Sequence, residues 1–141
     1  MVPLNVLVVQ NNETCRRILQ LWLEKYGNLV VTASSGEMAL EAVEKDRYHL
    51  VVLDLELPGI NGADTAKRIK KTFPNMPVIC VTAHALPEHR EMCLASGMDA
   101  HISKPVILEG LLKTINKVLS KGESRHTASA PRKPARPAGA A

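Results

Sequence analysis

The strongest constraint in this 141-residue sequence is a regular alternation between short aliphatic runs and longer amphipathic stretches. Several of the runs are almost continuous in valine, isoleucine and leucine, which is typical of β-strands covered on both faces. The predicted strands are Leu4–Val9, Leu29–Ala33, Leu50–Leu53, Val78–Thr82 and Ala100–Ser103. The predicted helices are 13–26, 36–46, 62–72, 88–96 and 107–120. Five strand–helix units in this order predict an α/β fold, a single doubly wound five-stranded parallel sheet with helices on both faces.

Residues at the predicted helix ends support these boundaries. Ser35 stands before the second helix, where a side-chain oxygen can accept from a free backbone N–H. Gly27 and Gly97 follow the first and fourth helices, where a glycine in the left-handed conformation commonly ends a helix. Pro87 suits the first turn of the fourth helix, because the missing N–H is not needed there.

The positive charge is confined to one end of the chain. The formal net charge is +4, but residues 121–141 hold five lysines and arginines against one glutamate, so residues 1–120 are balanced. This balance removes the main compositional argument for nucleic-acid binding by the body, and we expect no nucleic-acid partner there. The segment 121–141 has no Val, Ile, Leu, Met or aromatic residue to bury. We therefore expect a domain over 1–120 and a disordered basic Pro/Ala-rich tail over 121–141.

Composition also indicates the cellular compartment. No apolar run approaches the ~20 residues that span a bilayer, and the first residues lack the basic start of a signal peptide. Cys15, Cys80 and Cys93 form neither an even disulfide set nor a CxxC pair. We expect a reducing, cytoplasmic setting without membrane contact.

Polar residues follow the predicted strands at their carboxyl ends, where parallel sheets gather ligands and chemistry. These residues are Gln10, Asn11, Asp54, Thr82, Lys104 and Pro105. Together they place a carboxylate, a hydroxyl and an ammonium at one edge of the sheet. No Ser/His pair, zinc spacing or glycine-rich phosphate loop accompanies them.

This sequence resembles the receiver domain of bacterial two-component response regulators and hybrid sensor kinases. The resemblance covers about residues 4–120, in order and with ordinary spacing. It is carried by the stretches VLVVQNNETCRRIL, VVLDLELPGINGADTAKRI, PVICVTAHAL and CLASGMDAHISKP and by the closing amphipathic helix. The resemblance implies a flavodoxin-like strand order, 2-1-3-4-5. It implies a phosphorelay signalling domain rather than an enzyme, with a histidine kinase or histidine phosphotransfer protein and an output protein as partners.

The family's functional residues can be matched to positions in this chain. Asp54 matches the aspartate that accepts a phosphoryl group from a phosphohistidine. Thr82 matches the hydroxyl that turns toward the phosphoryl group, and Lys104 matches the ammonium that pairs with it. The Asp54 carboxylate and the backbone carbonyl of Glu56 match ligands of Mg²⁺.

Further matches concern the loops and the switch. Pro58 and Gly59 shape the loop behind the phosphoacceptor aspartate, and the Lys104–Pro105 bond matches one that is usually cis in the family. His101 stands where the family often has an aromatic switch residue, typically tyrosine. Because imidazole is smaller and titratable, the resemblance predicts an altered switch.

The largest departure from the family pattern is at the end of the first strand. Receivers place two acidic residues there to hold Mg²⁺, whereas this chain has the neutral amides Gln10 and Asn11. Two unit charges about 4 Å apart interact by roughly 4 kcal/mol at an effective dielectric of about 20. Millimolar binding amounts to only about 4 kcal/mol in all. We therefore expect weak Mg²⁺ binding and a direct ion pair between Asp54 and Lys104.

Two other kinds of site are less favoured. His84, His89 and His101 with Cys80 or Cys93 lack the spacing of transition-metal ligands. A flavin-binding domain of similar topology would need more than one Trp, two Tyr and one Phe, and a phosphate-binding loop after the first strand.

Two functions stay open at this stage. One is a receiver that accepts phosphate on Asp54, with weakened Mg²⁺ dependence or activity. The alternative is a pseudo-receiver that binds partners without phosphorylation. Asp54, Thr82 and Lys104 favour the receiver. Gln10, Asn11 and His101 favour the alternative.

Overall fold

A parallel sheet forms the centre of this fold. The computed structural model describes residues 3–83 and 87–126, apart from the side chains at 89 and 121–126. The strands are β1 (Asn5–Val9), β2 (Leu29–Ala33), β3 (Leu50–Asp54), β4 (Val78–Thr82) and β5 (Ala100–Ser103). All neighbouring strands pair in parallel, in the order β2-β1-β3-β4-β5. The predicted α/β class and strand order are confirmed.

Five helices connect and follow the strands. They are α1 (Glu13–Lys25), α2 (Gly36–Lys45), α3 (Gly62–Thr72), α4 (Pro87–Ala95) and α5 (Leu108–His126). The last helix runs past its predicted end at 120, because Lys, Glu and Arg in 121–126 favour helix and the single Gly122 there costs only about 1 kcal/mol. Residues 127–141 lie outside the described residues, so a disordered tail there stays a prediction.

The sheet is buried on both faces, as its aliphatic strands require. Alternate residues of each strand point to opposite sides, so Val6 and Val8 belong to one core and Leu7 and Val9 to the other. Leu19 of α1 and Leu111 of α5 pack in the first core. Side chains of α2, α3 and α4 pack in the second. We call these sides the α1/α5 face and the α2–α4 face.

Glycines end two of the helices as predicted. Gly27 and Gly97 have φ of +88° and +83°. After α1 the N–H of Asn28 donates to the Leu23 carbonyl, and after α4 the N–H of Met98 donates to the Cys93 carbonyl. Each bond spans the last helical turn in the pattern of a Schellman motif. The chain therefore leaves both helices at a defined angle toward the next strand.

Helix starts depend on short polar side chains. Ser35 accepts from the N–H of Met38, which confirms the predicted cap of α2. Asn12 and Asn61 cap α1 and α3 in the same way, although the sequence pattern did not single them out. Both asparagines stand in loops at the carboxyl edge of the sheet. They therefore orient the helices that leave this edge.

Tyr48 is a buried phenol on the α2–α4 face. Its Oη has no hydrogen-bond partner among the described residues. Burial raises the pKa of Tyr48, and the nearby Asp46 carboxylate raises it further. An unsatisfied buried polar group costs about 1–3 kcal/mol. The ring therefore stabilises the core by packing, whereas the unpaired hydroxyl lowers the stability of the fold.

We expect Tyr48→Phe to raise the free energy of unfolding by about 1 kcal/mol, because it removes the unpaired hydroxyl and keeps the ring. The gain should grow above the ordinary tyrosine pKa of 10.0, where the unfolded wild-type chain ionises and the folded one resists ionisation. Urea unfolding at neutral and alkaline pH measures both effects. Tyr26→Phe, at an exposed tyrosine, is the matched control and should change neither value. A loss of stability in Tyr48→Phe at neutral pH would contradict the assignment.

Candidate functional site

The carboxyl edge of the sheet brings the predicted site residues together. Parallel register places Val9 beside Leu53, Asp54 beside Val81, and Thr82 beside Ser103. The residues that follow or end these strands therefore meet at one edge. They are Gln10, Asp54, Thr82 and Lys104.

Asp54 is the centre of this edge and is only 2% exposed. Its Oδ2 accepts a hydrogen bond from Lys104 Nζ at 2.8 Å, and its Oδ1 accepts from the backbone N–H of Glu56 at 3.0 Å. The lysine side chain is 23% exposed and that of the aspartate 3%, so the pair meets solvent on the lysine side. A buried carboxylate requires such compensation. The predicted direct pairing of Asp54 with Lys104 is therefore present.

The backbone around Thr82 holds the lysine in place. The N–H of Lys104 donates to the Thr82 carbonyl at 2.8 Å, which extends the β4–β5 ladder beyond the strand end. The Lys104–Pro105 bond is cis, as predicted. Thr82 itself is buried beside the register position of Asp54. The hydroxyl and the ammonium thus belong to neighbouring strand ends on one side of the carboxylate.

The end of β1 differs from the rest of the edge because its own residues, Gln10 and Asn11, are neutral. Gln10 is fully buried, and neither Oε1 nor Nε2 has a hydrogen-bond partner within the described part of the chain. Asn11 is exposed. Arg16 holds the backbone here, with its guanidinium donating to the carbonyls of Gln10 at 2.9 Å and Asn11 at 3.4 Å. Sequence reasoning missed Arg16, whose contact depends on the turn into α1.

Gly59 shapes the loop after Asp54. Gly59 has φ of +69°, and a Cβ there would press against the Glu37 carboxylate of α2. That carboxylate accepts from the N–H of Ile60 at 3.4 Å. The predicted shaping role of Gly59 therefore has a backbone cause. Pro58 lies in the same loop, between β3 and α3.

Gly62, at the start of α3, was not singled out from sequence. Its N–H donates to the Leu55 carbonyl at 3.0 Å. A Cβ on Gly62 would overlap the Asp54 carbonyl oxygen and the Leu55 backbone. Helix α3 thus begins against the backbone of the central aspartate. Only a residue without a side chain fits this approach.

His101 lies on β5, half-buried and paired with Cys80 of β4. Paired residues in a parallel sheet share a face, so both belong to the α2–α4 face. Burial chiefly raises the pKa of Cys80, and its hydrogen bond with Cys93 and the Asp54 charge raise it further. His101 therefore pairs with a buried thiol on the neighbouring strand.

The donor types at the edge fit a hard cation in kind but not in charge. Asp54 offers one carboxylate, Glu56 a backbone carbonyl, and Gln10 and Asn11 amide oxygens. Hard divalent cations take oxygen ligands, with carboxylates supplying the charge. Across the described residues, no group of three or more His, Cys, Asp or Glu side chains is placed to hold a metal ion. His84, part of the less favoured transition-metal alternative, lies outside them.

No helix within residues 3–83 and 87–126 combines the length and the apolar character that crossing a membrane requires.

A 2-1-3-4-5 parallel sheet, with a buried aspartate ending β3 and a lysine after β5 bound to it, defines the receiver class of signalling domains. The chain belongs to the response regulator receiver domain family, whose model matches residues 6–116. It is thus a receiver domain of two-component signalling rather than a classical enzyme.

Curated relatives are longer proteins. The chain is 37% identical over 110 residues to the sensor histidine kinase RcsC of Escherichia coli, covering 78% of this chain and 12% of that kinase. It is 36% identical over 126 residues to the transcriptional regulatory protein AfsQ1 of Streptomyces coelicolor, covering 89% of this chain and 56% of that regulator. The chain therefore spans a minor part of the first and about half of the second.

Solved structures share the fold. A CheY-like receiver domain protein from Methanospirillum hungatei superposes with a TM-score of 0.83 at 28% identity, covering 88% of this chain and 99% of that chain. NtrX from Brucella abortus gives a TM-score of 0.86 at 26% identity, covering 93% of this chain and 30% of that chain. The described elements therefore follow the receiver architecture.

We expect Gly62→Ala to lower the free energy of unfolding by about 1–3 kcal/mol, because the new methyl group displaces the backbone of Asp54 and Leu55. Gly110→Ala is the matched control, since a Cβ there meets nothing within 4 Å in an exposed turn of α5. It should raise stability by about 0.5–1 kcal/mol. Chemical denaturation of both variants is the measurement. Equal effects of the same sign would contradict the close approach of α3 to β3.

Proposed function

We propose that this receiver accepts a phosphoryl group on Asp54 from a phosphohistidine and signals through the binding of partner proteins. The donor would be a histidine kinase or a histidine phosphotransfer protein, in keeping with the sensor kinases among its relatives. The observation that carries the proposal is the Asp54 carboxylate, buried at the sheet edge yet bound at both oxygens by donors.

The chemistry needs little beyond position and charge. A carboxylate oxygen of Asp54 forms a bond to phosphorus, the phosphorus–nitrogen bond of the donor breaks, and its electron pair returns to the imidazole. Lys104 then exchanges its carboxylate contact for the new phosphoryl oxygens. The hydroxyl of Thr82, at the neighbouring strand end, is the group expected to follow the phosphoryl group. Fixed donors of this kind stabilise developing negative charge.

Receivers typically use Mg²⁺, which when bound supplies positive charge at the transferring group. Asp54, the Glu56 carbonyl and the amide oxygens of Gln10 and Asn11 are the groups that would hold it here. Their single negative charge replaces the three of an ordinary receiver. We infer weak binding, because each lost carboxylate removes a favourable interaction that the amide dipole only partly replaces.

The surface beside the edge suits a partner. Ile18 and Leu21 of α1 are exposed, and Ile107, just before α5, is 66% exposed. Ile107 lies at the carboxyl edge, in the loop between β5 and α5, and α1, which begins at the same edge, packs on the same face of the sheet as α5. Exposed apolar groups of this size commonly mark protein interaction surfaces. They support docking of a phosphohistidine-bearing protein at this edge.

A phosphorylation-independent interaction module is the second candidate. It is favoured by one observation: the Asp54 charge is already compensated by Lys104, with neutral amides at the end of β1. Such a pocket is stable without a metal or a phosphoryl group. In that case partner affinity would not depend on Asp54 phosphorylation.

Incubation with a small phosphodonor and Mg²⁺ should add one acid-labile phosphoryl group to the wild-type chain, slowly, and none to Asp54→Asn. Intact-mass measurement over time gives the stoichiometry and the rate. Asp64→Asn, at an exposed aspartate in the first turn of α3, is the matched control and should label like the wild type. Absence of labelling, with partner affinity equal in the wild type and Asp54→Asn, would favour the interaction module.

Gln10→Asp with Asn11→Asp should restore Mg²⁺ binding and speed labelling. Without Mg²⁺ this double variant should melt at a lower temperature than the wild type, because it buries an uncompensated carboxylate at position 10. Added Mg²⁺ should raise its melting temperature by mass action, and the wild type should respond little at a few millimolar, a concentration that matches binding of about 3–4 kcal/mol.

Asn12→Asp adds a charge next to the pair at a cap where aspartate is equally suitable. It should leave the Mg²⁺ response of the melting temperature unchanged. Submillimolar Mg²⁺ binding by the unmodified chain, measured by calorimetry, would contradict the neutral-pocket argument.

A further inference from the structure

Two thiols meet on the α2–α4 face, behind the site. Cys80 projects from β4, Cys93 projects from α4, and the Cys93 thiol donates to Cys80 Sγ at 2.8 Å. Both are free cysteines and both are buried in the same apolar core. They lie 13 residues apart in sequence and belong to different elements. The pair is therefore a dithiol that bridges the sheet and a helix.

The separation of the two sulfurs is only slightly longer than the length of a covalent S–S bond. A disulfide has an S–S length of about 2.05 Å, so the two atoms need to approach by less than about 1 Å. Cys80 is held in a strand paired on both sides, with Leu53 and His101 as its register partners. Cys93 stands in the last turns of α4, where its carbonyl accepts from Met98. Hydrogen bonds therefore hold the backbone at both cysteines, whereas the two thiols are not joined covalently.

We propose that Cys80 and Cys93 are an oxidative modification site, closed by a low-molecular-weight disulfide such as oxidised glutathione into a reversible bond that ties α4 to β4. One cysteine gives up its proton and attacks the oxidant, forming a mixed disulfide and releasing one thiol. The second cysteine, also losing its proton, attacks the mixed disulfide and releases the second thiol. Two protein thiols are oxidised and one disulfide is reduced.

The Cys80–Cys93 disulfide would act on α4, the helix that follows β4 in the chain. Cys80 lies two residues before Thr82, and Cys93 lies between Met92 and Leu94, which are 47% and 63% exposed. A covalent tie fixes the distance between this apolar patch of α4 and the strand that carries the threonine. Oxidation therefore restricts movement of α4 without a change at Asp54.

Burial makes the reaction slow and selective. Both sulfurs are covered in the closed fold, so the oxidant reaches them only when α4 opens locally. Cys15, on α1 and less buried, is the thiol expected to react first. Cys15 must therefore be replaced so that its oxidation does not obscure that of the pair. Because Cys15 lies on the α1/α5 face, its replacement does not alter the contact between Cys80 and Cys93.

The test uses the full chain with Cys15→Ala, equilibrated with excess oxidised glutathione. We expect the intact mass to fall by two hydrogens without a glutathione adduct, and peptide mapping to join Cys80 to Cys93. Amide hydrogen exchange in 87–95 should slow by about tenfold or more on oxidation and recover with dithiothreitol, since a crosslink removes local opening. Exchange in β2 should not change.

Cys80→Ala and Cys93→Ala in the same background are the matched controls, and neither should show the mass loss or the change in exchange. The same chain unfolded in urea should oxidise, which shows that the oxidant is competent. Two thiols that stay reduced in the folded chain, or that carry only glutathione adducts, would overturn the proposal. So would a Cys80–Cys93 bond that leaves exchange in α4 unchanged. None of these readouts involves phosphorylation, so they stand or fall separately from the proposed function.

Discussion

Parallel pairing of strands that are buried on both faces is the constraint on which the rest of this structure depends. Strands without a polar face must be covered twice, and parallel neighbours must be joined by helices that cross over the sheet. Every strand then ends at the same edge. In this chain that edge receives Asp54 from β3, Thr82 from β4 and Lys104 from the loop after β5. The geometry of the sheet alone therefore brings these three residues to one edge.

Charge balance decides what the assembled edge can do. Asp54 is buried, and its two oxygens accept hydrogen bonds from Lys104 Nζ and from the N–H of Glu56, which compensate for the lost contact with water. The neutral Gln10 places no like charge beside the carboxylate at the end of β1, so the repulsion that an acidic pair would create there is missing. The same substitution removes the charge that would attract a divalent cation. The compensated Asp54 and the weak affinity for Mg²⁺ that we propose are therefore two consequences of one feature.

Much of the site could be predicted, because its residues follow strands that the sequence makes easy to recognise. Three contacts could not be predicted from the sequence. They are the approach of Gly62 to Asp54, the hydrogen bond of Arg16 to the end of β1, and the contact of Cys80 with Cys93. Each joins residues whose distance depends on helix placement over the sheet. The cysteines show this most clearly, since their spacing in sequence matched no disulfide or metal pattern.

The sequence by itself determined the fold class, the strand order through its resemblance to receivers, and the polar residues at the strand ends. It could do so because hydrophobic periodicity and cap residues such as Ser35 act within a few residues of one another. Only the tertiary structure decided that Gln10 is buried with no hydrogen-bond partner among the described residues, and that α4 brings a thiol against β4. Those outcomes depend on how five helices share two faces of one sheet, and packing of that kind is a property of the whole chain.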